Sequence, residues 1–90
     1  MTKAEIISEI AAKTGVDKTV VSSVVETFTG TVKEAVKRGD SVTLRGFGSF
    51  IRKTRAQKIG RNIKAQESVL IPEHHIPAFR ASKTFANEVR

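Results

Sequence analysis

The chain has 90 residues and no cysteine, so disulfide bonds and thiolate metal sites are excluded and a single domain is expected. Its hydrophobic fraction of 39% is sufficient for a packed domain and too high for a disordered chain. No apolar run reaches the roughly 20 residues of a membrane span, and the N-terminus lacks the apolar segment of a secretion signal, so we expect a cytoplasmic protein.

The formal net charge of +7 is concentrated in the second half of the chain. Residues 1–40 carry six basic and six acidic side chains, whereas residues 41–90 carry ten basic and three acidic ones. No acidic residue occurs between Ser41 and Gln66. This asymmetry indicates a surface for a nucleic acid or an anionic membrane.

The first predicted element is a helix that follows Thr2 and stops at Gly15. Thr2 and Glu5 have the spacing of a capping box, isoleucines follow at helical spacing, and glycine is a common residue just past a helix end.

A second helix is predicted from an Asp17 cap to a stop at Gly39. Its many β-branched residues favour strands locally. The apolar residues nevertheless recur at three- and four-residue steps, which is typical of a helix, at Val20, Val21, Val24, Val25, Phe28, Val32 and Val36. A stripe this wide covers either one core or both a sheet and a partner helix, and the shortness of the chain favours a dimer.

Strands follow in the second half. A short strand is predicted over 40–45, a tight turn at Gly46-Phe47-Gly48, and the next strand from Ser49. From Arg52 to Lys64 neither face of an extended chain is apolar, so this segment must leave the body of the protein as one strand of a β-ribbon arm. The chain returns through residues 68–71 and re-enters the body over residues 76–80, where a proline suits an edge strand. Residue Ser82 is predicted to cap a last short helix.

The predicted fold class is therefore α+β, with two N-terminal helices, a three-stranded antiparallel sheet with a long protruding β-ribbon arm and a short C-terminal helix, in a chain whose shortness favours a dimer. We expect one domain, 1–90, with a helical dimerisation part at 1–40, a sheet at 41–81 whose arm covers about 52–75, and a C-terminal helix at 82–90.

A two-stranded ribbon with basic side chains on both faces fits a groove of DNA. Solvated surface hairpins usually mix both signs of charge, and a membrane-binding element would have an amphipathic helix with large apolar residues. Lys3 and Lys83, at the starts of two helices, are further candidate phosphate contacts, although each also fits an ordinary capped helix end.

The adjacent His74 and His75 point to opposite faces of a strand, so they are poorly placed to share a metal ion. We expect one of them to lie near DNA and to gain charge at mildly acidic pH, so that alanine at both positions flattens the pH dependence of affinity. No catalytic constellation, cofactor motif or metal-ligand cluster occurs, which predicts a protein that is not an enzyme and uses no cofactor or metal.

Several motifs in fixed order resemble the HU and integration host factor family of bacterial architectural DNA-binding proteins. They are the run Gly46-Phe47-Gly48-Ser49-Phe50, then Arg55, then Gly60-Arg61-Asn62, and finally Ile76-Pro77-Ala78-Phe79-Arg80-Ala81-Ser82-Lys83. The resemblance covers the whole chain without a gap. It implies an intertwined dimer whose arms wrap the duplex through the minor groove with little base readout.

The resemblance and the charge pattern together give a set of candidate DNA contacts: Lys3, Arg45, Gly46, Arg52, Lys53, Arg55, Lys58, Arg61, Asn62, Ile63, Lys64 and Lys83. The candidate dimer core consists of Val24, Phe28, Val32, Phe47, Phe50 and Phe79.

The chain departs from the family pattern at the arm. Ile63 stands where family members usually carry the proline that wedges between base pairs, Ala65 and Gln66 replace a threonine and a glycine, and Lys58 replaces the commoner arginine. Isoleucine is one of the apolar residues that minor-groove proteins insert between base steps, so Ile63 is either a wedge or a residue that packs at the arm tip.

The predicted function is architectural binding of duplex DNA in the bacterial nucleoid, with little sequence specificity, by a homodimer that bends, wraps or compacts the duplex. The alternatives are a site-preferring subunit like integration host factor, a heterodimer with a paralogue, RNA as a second ligand, and a basic module that docks on acidic proteins.

Overall fold

A computed structural model describes the backbone of residues 1–62 and 67–90, and the side chains of residues 1–60 and 68–90. The predicted sites at Ile63 and Lys64, the departures at Ala65 and Gln66, and the side chains of Arg61 and Asn62 lie outside this description. The described chain forms two compact units, residues 1–34 and residues 35–90. The subdivision at residues 40 and 81 stays a prediction.

Helix α1 (Lys3–Thr14) begins and ends as its sequence predicts. The Glu5 backbone N–H donates to Thr2 Oγ1 across 3.3 Å, which satisfies one of the free donors at the helix start. At the other end Gly15 adopts φ +73° and donates its N–H to the Ala11 carbonyl across 2.9 Å. Glycine suits this position because an L side chain is disfavoured in the left-handed region.

Helix α2 (Lys18–Lys37) confirms that apolar periodicity outweighs the strand preference of its many valines. Asp17 caps it, since Asp17 Oδ1 accepts from the Thr19 backbone N–H across 2.8 Å. Val21 is buried, whereas Val20, Val24 and Phe28 are exposed. One side of the helix is thus covered within the chain and another part of the apolar stripe is open. No helix of the described residues is long and apolar enough to cross a membrane.

The second unit contains a three-stranded antiparallel sheet in the order β1 (Val42–Leu44), β2 (Gly48–Arg55), β5 (His74–Ala81). The turn between β1 and β2 contains Gly46 at φ +80°. Strand β5 is an edge strand of this sheet, as its proline predicted. Helix α3 (Lys83–Val89) follows at once, with Ser82 Oγ accepting from the Phe85 backbone N–H across 3.1 Å.

The arm consists of two ladders, which corrects the expectation of one continuous ribbon. Strands β2 and β5 pair as far as Arg55 opposite His74, and a separate two-stranded sheet is formed by β3 (Lys58–Asn62) and β4 (Glu67–Ile71). The two ladders are separated by residues 56–57 on the outgoing chain and 72–73 on the returning chain. Pro72 has no N–H to donate to a ladder, which is a physical reason for the interruption at this point.

Candidate nucleic-acid interface

The register of the three-stranded sheet assigns its side chains to two faces. One face, here called the apolar face, carries Phe50 opposite Phe79, whose ring centroids lie 5.1 Å apart. Phe47, in the turn before β2, adds a ring 5.0 Å from Phe79 and 5.4 Å from Phe85 of α3. Phe85 was absent from the predicted core, although its spacing four residues before Val89 was the available signal.

The opposite face is here called the basic face. Its polar positions alternate with the phenylalanines and are Thr43, Ser49, Lys53, Arg55, His74 and Arg80. Thr43 Oγ1 and Ser49 Oγ are 3.1 Å apart, which places both hydroxyls on this side of the sheet. No acidic residue belongs to the basic face, so its three cations have no anionic neighbour in the sheet.

Two of the predicted DNA contacts, Lys53 and Arg55, share the basic face and are exposed. Arg80 joins them, since it pairs with Ser49 on the neighbouring strand and is exposed as well. Arg80 was not among the candidate contacts that the sequence predicted. The signal was its place directly after Phe79, because adjacent strand residues point to opposite faces.

Arg52 is on the apolar side of the sheet, and the structure separates it from Lys53 and Arg55. Its Nη1 donates to the backbone carbonyl of Lys37 across 3.2 Å. That carbonyl belongs to the last turn of α2, where a cation also interacts favourably with the helix dipole. Arg52 therefore holds the root of the arm against the end of a helix within the same compact unit.

The outer ladder, β3 with β4, places Lys58 opposite Ile71 and Arg61 opposite Ser68. The Lys58 side chain is exposed. Between these positions Ile59 pairs with Leu70, and these apolar side chains are 75% and 59% exposed. The outer ladder therefore combines basic residues with exposed apolar side chains. Such a surface fits the walls of a DNA groove better than it fits bulk solvent.

Other predicted contacts belong to a turn and to helices. Arg45 and Gly46 occupy the turn that enters β2, and Arg45 is exposed. Lys83 is the exposed first residue of α3. Lys3, the first residue of α1, forms an exposed ion pair with Glu26, with Nζ 3.0 Å from Oε1. A phosphate that binds Lys3 must therefore compete with this carboxylate.

The two histidines point to opposite faces of β5, as the sequence predicted. His75 pairs with Thr54, and its Nδ1 is 3.1 Å from Thr54 Oγ1. His74 pairs with Arg55 on the basic face, and its Nδ1 is 2.9 Å from the Pro72 carbonyl oxygen. The expectation that one histidine lies beside the candidate DNA surface thus applies to His74 by its position.

Comparison with known proteins places these features in a family. The model of the family described as bacterial DNA-binding protein matches residues 1–90. The DNA-binding protein HU of a Nostoc species is 42% identical over 89 residues, which span 99% of this chain and 95% of that protein. The chain belongs to the HU family of bacterial DNA-binding proteins.

Other HU relatives agree with this assignment. HU from Thermotoga maritima is 37% identical over 91 residues and is covered completely. Among solved structures, a cocrystal of Anabaena HU with DNA superposes with a TM-score of 0.93 at 42% identity and covers 99% of this chain and 97% of that one. A structure of Thermotoga maritima HU superposes with a TM-score of 0.71 at 27% identity, and both chains are covered completely.

Membership of the HU family confirms the predicted resemblance, the α+β fold class and the function as an architectural DNA-binding protein. It favours this function over the basic protein-interaction module and the site-preferring subunit. The individual contact residues remain predictions.

Proposed function

We propose that this HU-family protein acts as an intertwined homodimer that holds duplex DNA across its sheets and between its two arms, with the arms in the minor groove and little readout of the bases. The main supporting observation is the basic face, on which Lys53, Arg55 and Arg80 are exposed together and to which the described strands of the sheet contribute no acidic residue. Phosphate neutralisation by such cations supplies affinity that does not depend on sequence.

The exposed apolar residues support the dimer. Of the six predicted core residues, Val24, Phe28, Phe47 and Phe79 are 61%, 45%, 42% and 42% exposed in the single chain, and Val32 and Phe50 are half-buried. Burial of apolar area contributes about 25 cal/mol per Å², so a chain that left these side chains in water would lose much of its stability. A second copy with the same stripe on α2 and the same phenylalanines is the partner that the chain itself provides. A heterodimer with a paralogue is the alternative.

The proposed DNA contacts fall into three groups. At the sheet and the root of the arm they are Arg45, Gly46, Lys53, Arg55 and Arg80; along the arm they are Lys58, Arg61, Asn62 and Lys64; on the helices they are Lys3 and Lys83. Arg52 belongs to the site as the residue that fixes the root of the arm, because its guanidinium is bonded to the end of α2.

Ile63 has two proposed roles. As a wedge between base steps it would kink the duplex in place of the family proline, at the cost of more side-chain entropy than a proline ring loses. As a residue that packs at the arm tip it would leave binding intact and the duplex straighter. Binding survives in both cases because phosphate contacts dominate the affinity.

This function places the protein on the bacterial nucleoid in the cytoplasm and requires no enzymatic reaction. RNA is a second ligand under the same proposal, since phosphate contacts do not distinguish the two nucleic acids. A competition between one candidate site and a pool of random duplexes separates binding with little specificity from a site preference.

The test follows binding and bending together. A short duplex carries a fluorescent donor and acceptor at its ends, and the protein is titrated while anisotropy reports binding and energy transfer reports the distance between the ends. We expect binding that weakens about 10³–10⁵-fold between roughly 50 and 200 mM salt, if a dimer makes about 6–10 phosphate contacts. Failure to bind duplex DNA at low salt would overturn the proposal.

Two variants sharpen this test. Joint replacement of Arg55, Lys58 and Arg61 by glutamine should reduce the salt dependence, and an unchanged slope would show that the arm is not the main contact surface. Ile63→Ala should lower energy transfer at unchanged anisotropy if Ile63 is a wedge, whereas equal transfer in wild type and variant would assign Ile63 to packing at the tip.

A further inference from the structure

A cleft lies where the three-stranded sheet ends and the outer ladder begins. Arg55, Ala56, Gln57, Lys58 and His74 line it. Among the side chains that the structure describes, the lining thus provides two permanent cations, an amide and an imidazole, and no carboxylate. Such a set of donors is suited to an anion with several acceptor oxygens, such as a phosphate.

The hydrogen bond of His74 fixes the tautomer of its neutral ring. The Pro72 carbonyl oxygen, 2.9 Å from Nδ1, can only accept, so Nδ1 carries the hydrogen of the neutral ring. Nε2 is then a bare acceptor in the neutral ring, and it becomes a donor only when the ring takes up a second proton. A phosphate oxygen accepts and does not donate when fully ionised, so the neutral ring offers it nothing and the protonated ring offers a charge-assisted hydrogen bond.

The charged groups around His74 are mainly basic. Arg55 on β2 is the partner directly opposite His74, and Lys53 lies on the same face of β2, two residues before Arg55. Lys58 lines the cleft from β3. Glu73 precedes His74 and is exposed, and His75 lies on the other face with Thr54 as its partner. A phosphate in the cleft would stabilise the protonated ring, so phosphate binding and proton uptake would favour each other.

We propose that this cleft is a binding site for a backbone phosphate of duplex DNA, held by Arg55 and Lys58, and that His74 donates from Nε2 to the same phosphate when its ring is protonated. The inference rests on the proposed function, because it takes DNA as the source of the phosphate. Affinity for DNA should then rise as the pH falls through the range in which histidine gains its charge, and this gain should disappear as the pH rises through that range.

The test measures dissociation constants for one duplex at constant ionic strength, between about pH 5.5 and 8 where histidine is the side chain that changes charge. We expect the wild type to bind about 3–10-fold more tightly at the acidic end, which corresponds to one modest ionic contact in each subunit. His74→Gln, which keeps an uncharged polar side chain, should flatten the profile. His75→Gln is the matched control, because it removes a neighbouring histidine from the other face, and it should keep the wild-type slope.

The outcomes separate the two proposals. A wild type that binds no duplex at any pH overturns the proposed function. A wild type that binds with a flat profile, a His74→Gln variant that keeps the slope, or a slope that disappears only in His75→Gln each overturns the phosphate site while leaving DNA binding in place.

A second measurement identifies the atom. Nitrogen-correlated NMR spectra of the imidazole rings should show the Nδ1–H tautomer of His74 near pH 8, and its Nε2 resonance should shift on titration with the duplex at about pH 6. The same titration with inorganic phosphate tests whether the cleft recognises the anion itself or only the phosphate of a bound duplex. An Nε2–H tautomer at alkaline pH, or no response of His74 to the duplex, would contradict the assignment.

Discussion

Arg52 donates a hydrogen bond of 3.2 Å to the Lys37 carbonyl, so the first basic residue of the arm serves the end of a helix. Lys53, its immediate neighbour, is exposed on the opposite face of the same strand. Two adjacent residues of equal charge thus have different surroundings, and the difference follows from the alternation of side chains along a strand.

This division predicts opposite phenotypes for the two residues. Arg52→Gln should lower the free energy of unfolding by about 0.5–1.5 kcal/mol, because it removes a hydrogen bond to a helix terminus, and should weaken DNA binding less than Lys53→Gln does. Lys53→Gln should leave stability nearly unchanged. Urea denaturation at one fixed protein concentration and duplex titrations at several salt concentrations check both expectations. The proposed division fails if the two variants lose stability and affinity in the same proportion.

Gly48 is a position where the packing of the sheet leaves no room for a side chain. A Cβ atom there would overlap the Arg80 carbonyl and lie 2.5 Å from Cζ of Phe79. Because the carbonyl belongs to the backbone of the paired strand, it cannot move aside without disturbing the ladder. Gly48→Ala should therefore destabilise the protein by about 1–3 kcal/mol in thermal or urea unfolding.

Gly60→Ala is the matched control for Gly48. The nearest atom to its added Cβ is Ile71 Cδ1 at 3.2 Å, the end of a flexible side chain that can shift. We expect a change in unfolding free energy below about 1 kcal/mol, since the loss from crowding is offset by the lower entropy of the unfolded chain. Equal destabilisation by both variants would contradict the importance of the contact between Gly48 and the Phe79 ring.

The ion pair between Lys3 and Glu26 predicts a gain of affinity on removal of the acid. Both side chains are 60% exposed, so the pair contributes little stability, and Glu26→Gln should release Lys3 for a phosphate. DNA binding at low salt should strengthen about two- to fivefold. Glu9→Gln, which breaks the Glu9–Lys13 pair and changes the net charge equally, is the control. An identical gain in both variants would mean that net charge alone is responsible.

Arg80 is expected to be a DNA contact although the sequence did not single it out. Arg80→Gln should reduce the slope of log affinity against log salt by about one per subunit, because one phosphate contact is lost. Arg38→Gln removes the same charge from a residue that is paired with Asp40 at 2.8 Å and lies outside the sheet, so it should change the slope less. If Arg38→Gln has the larger effect, the basic face is not the DNA surface.

The sequence predicted the elements well because their signals are local. Each helix cap, at Thr2, Asp17 and Ser82, depends on one side chain and a nearby backbone N–H. The helical spacing of the valines in α2 can likewise be recognised from the sequence without knowledge of the tertiary structure. The charge asymmetry also indicates a polyanionic partner, because it can be counted from the sequence without a fold.

The different surroundings of Arg52 and Lys53 were harder to predict, because they depend on which face of the sheet is covered. Arg52 is two residues after Phe50, and that spacing already placed it on the apolar side, yet a count of charges treats it like Lys53. The two-ladder arm was missed for a related reason. The alternation was extended through residues 56–57 as if pairing were continuous, although Pro72 on the returning chain cannot donate to a ladder.

The matching interruptions at residues 56–57 and 72–73 make the outer arm a separable module. Arg55 and His74 face each other at the last rung of the inner ladder, so a two-residue turn could join them directly and close an ordinary hairpin. Residues 56–73 could then be exchanged for a short turn, or lengthened and shortened over evolutionary time, without any change in the register of the body. The length of the arm can thus vary independently of the three-stranded sheet that carries it.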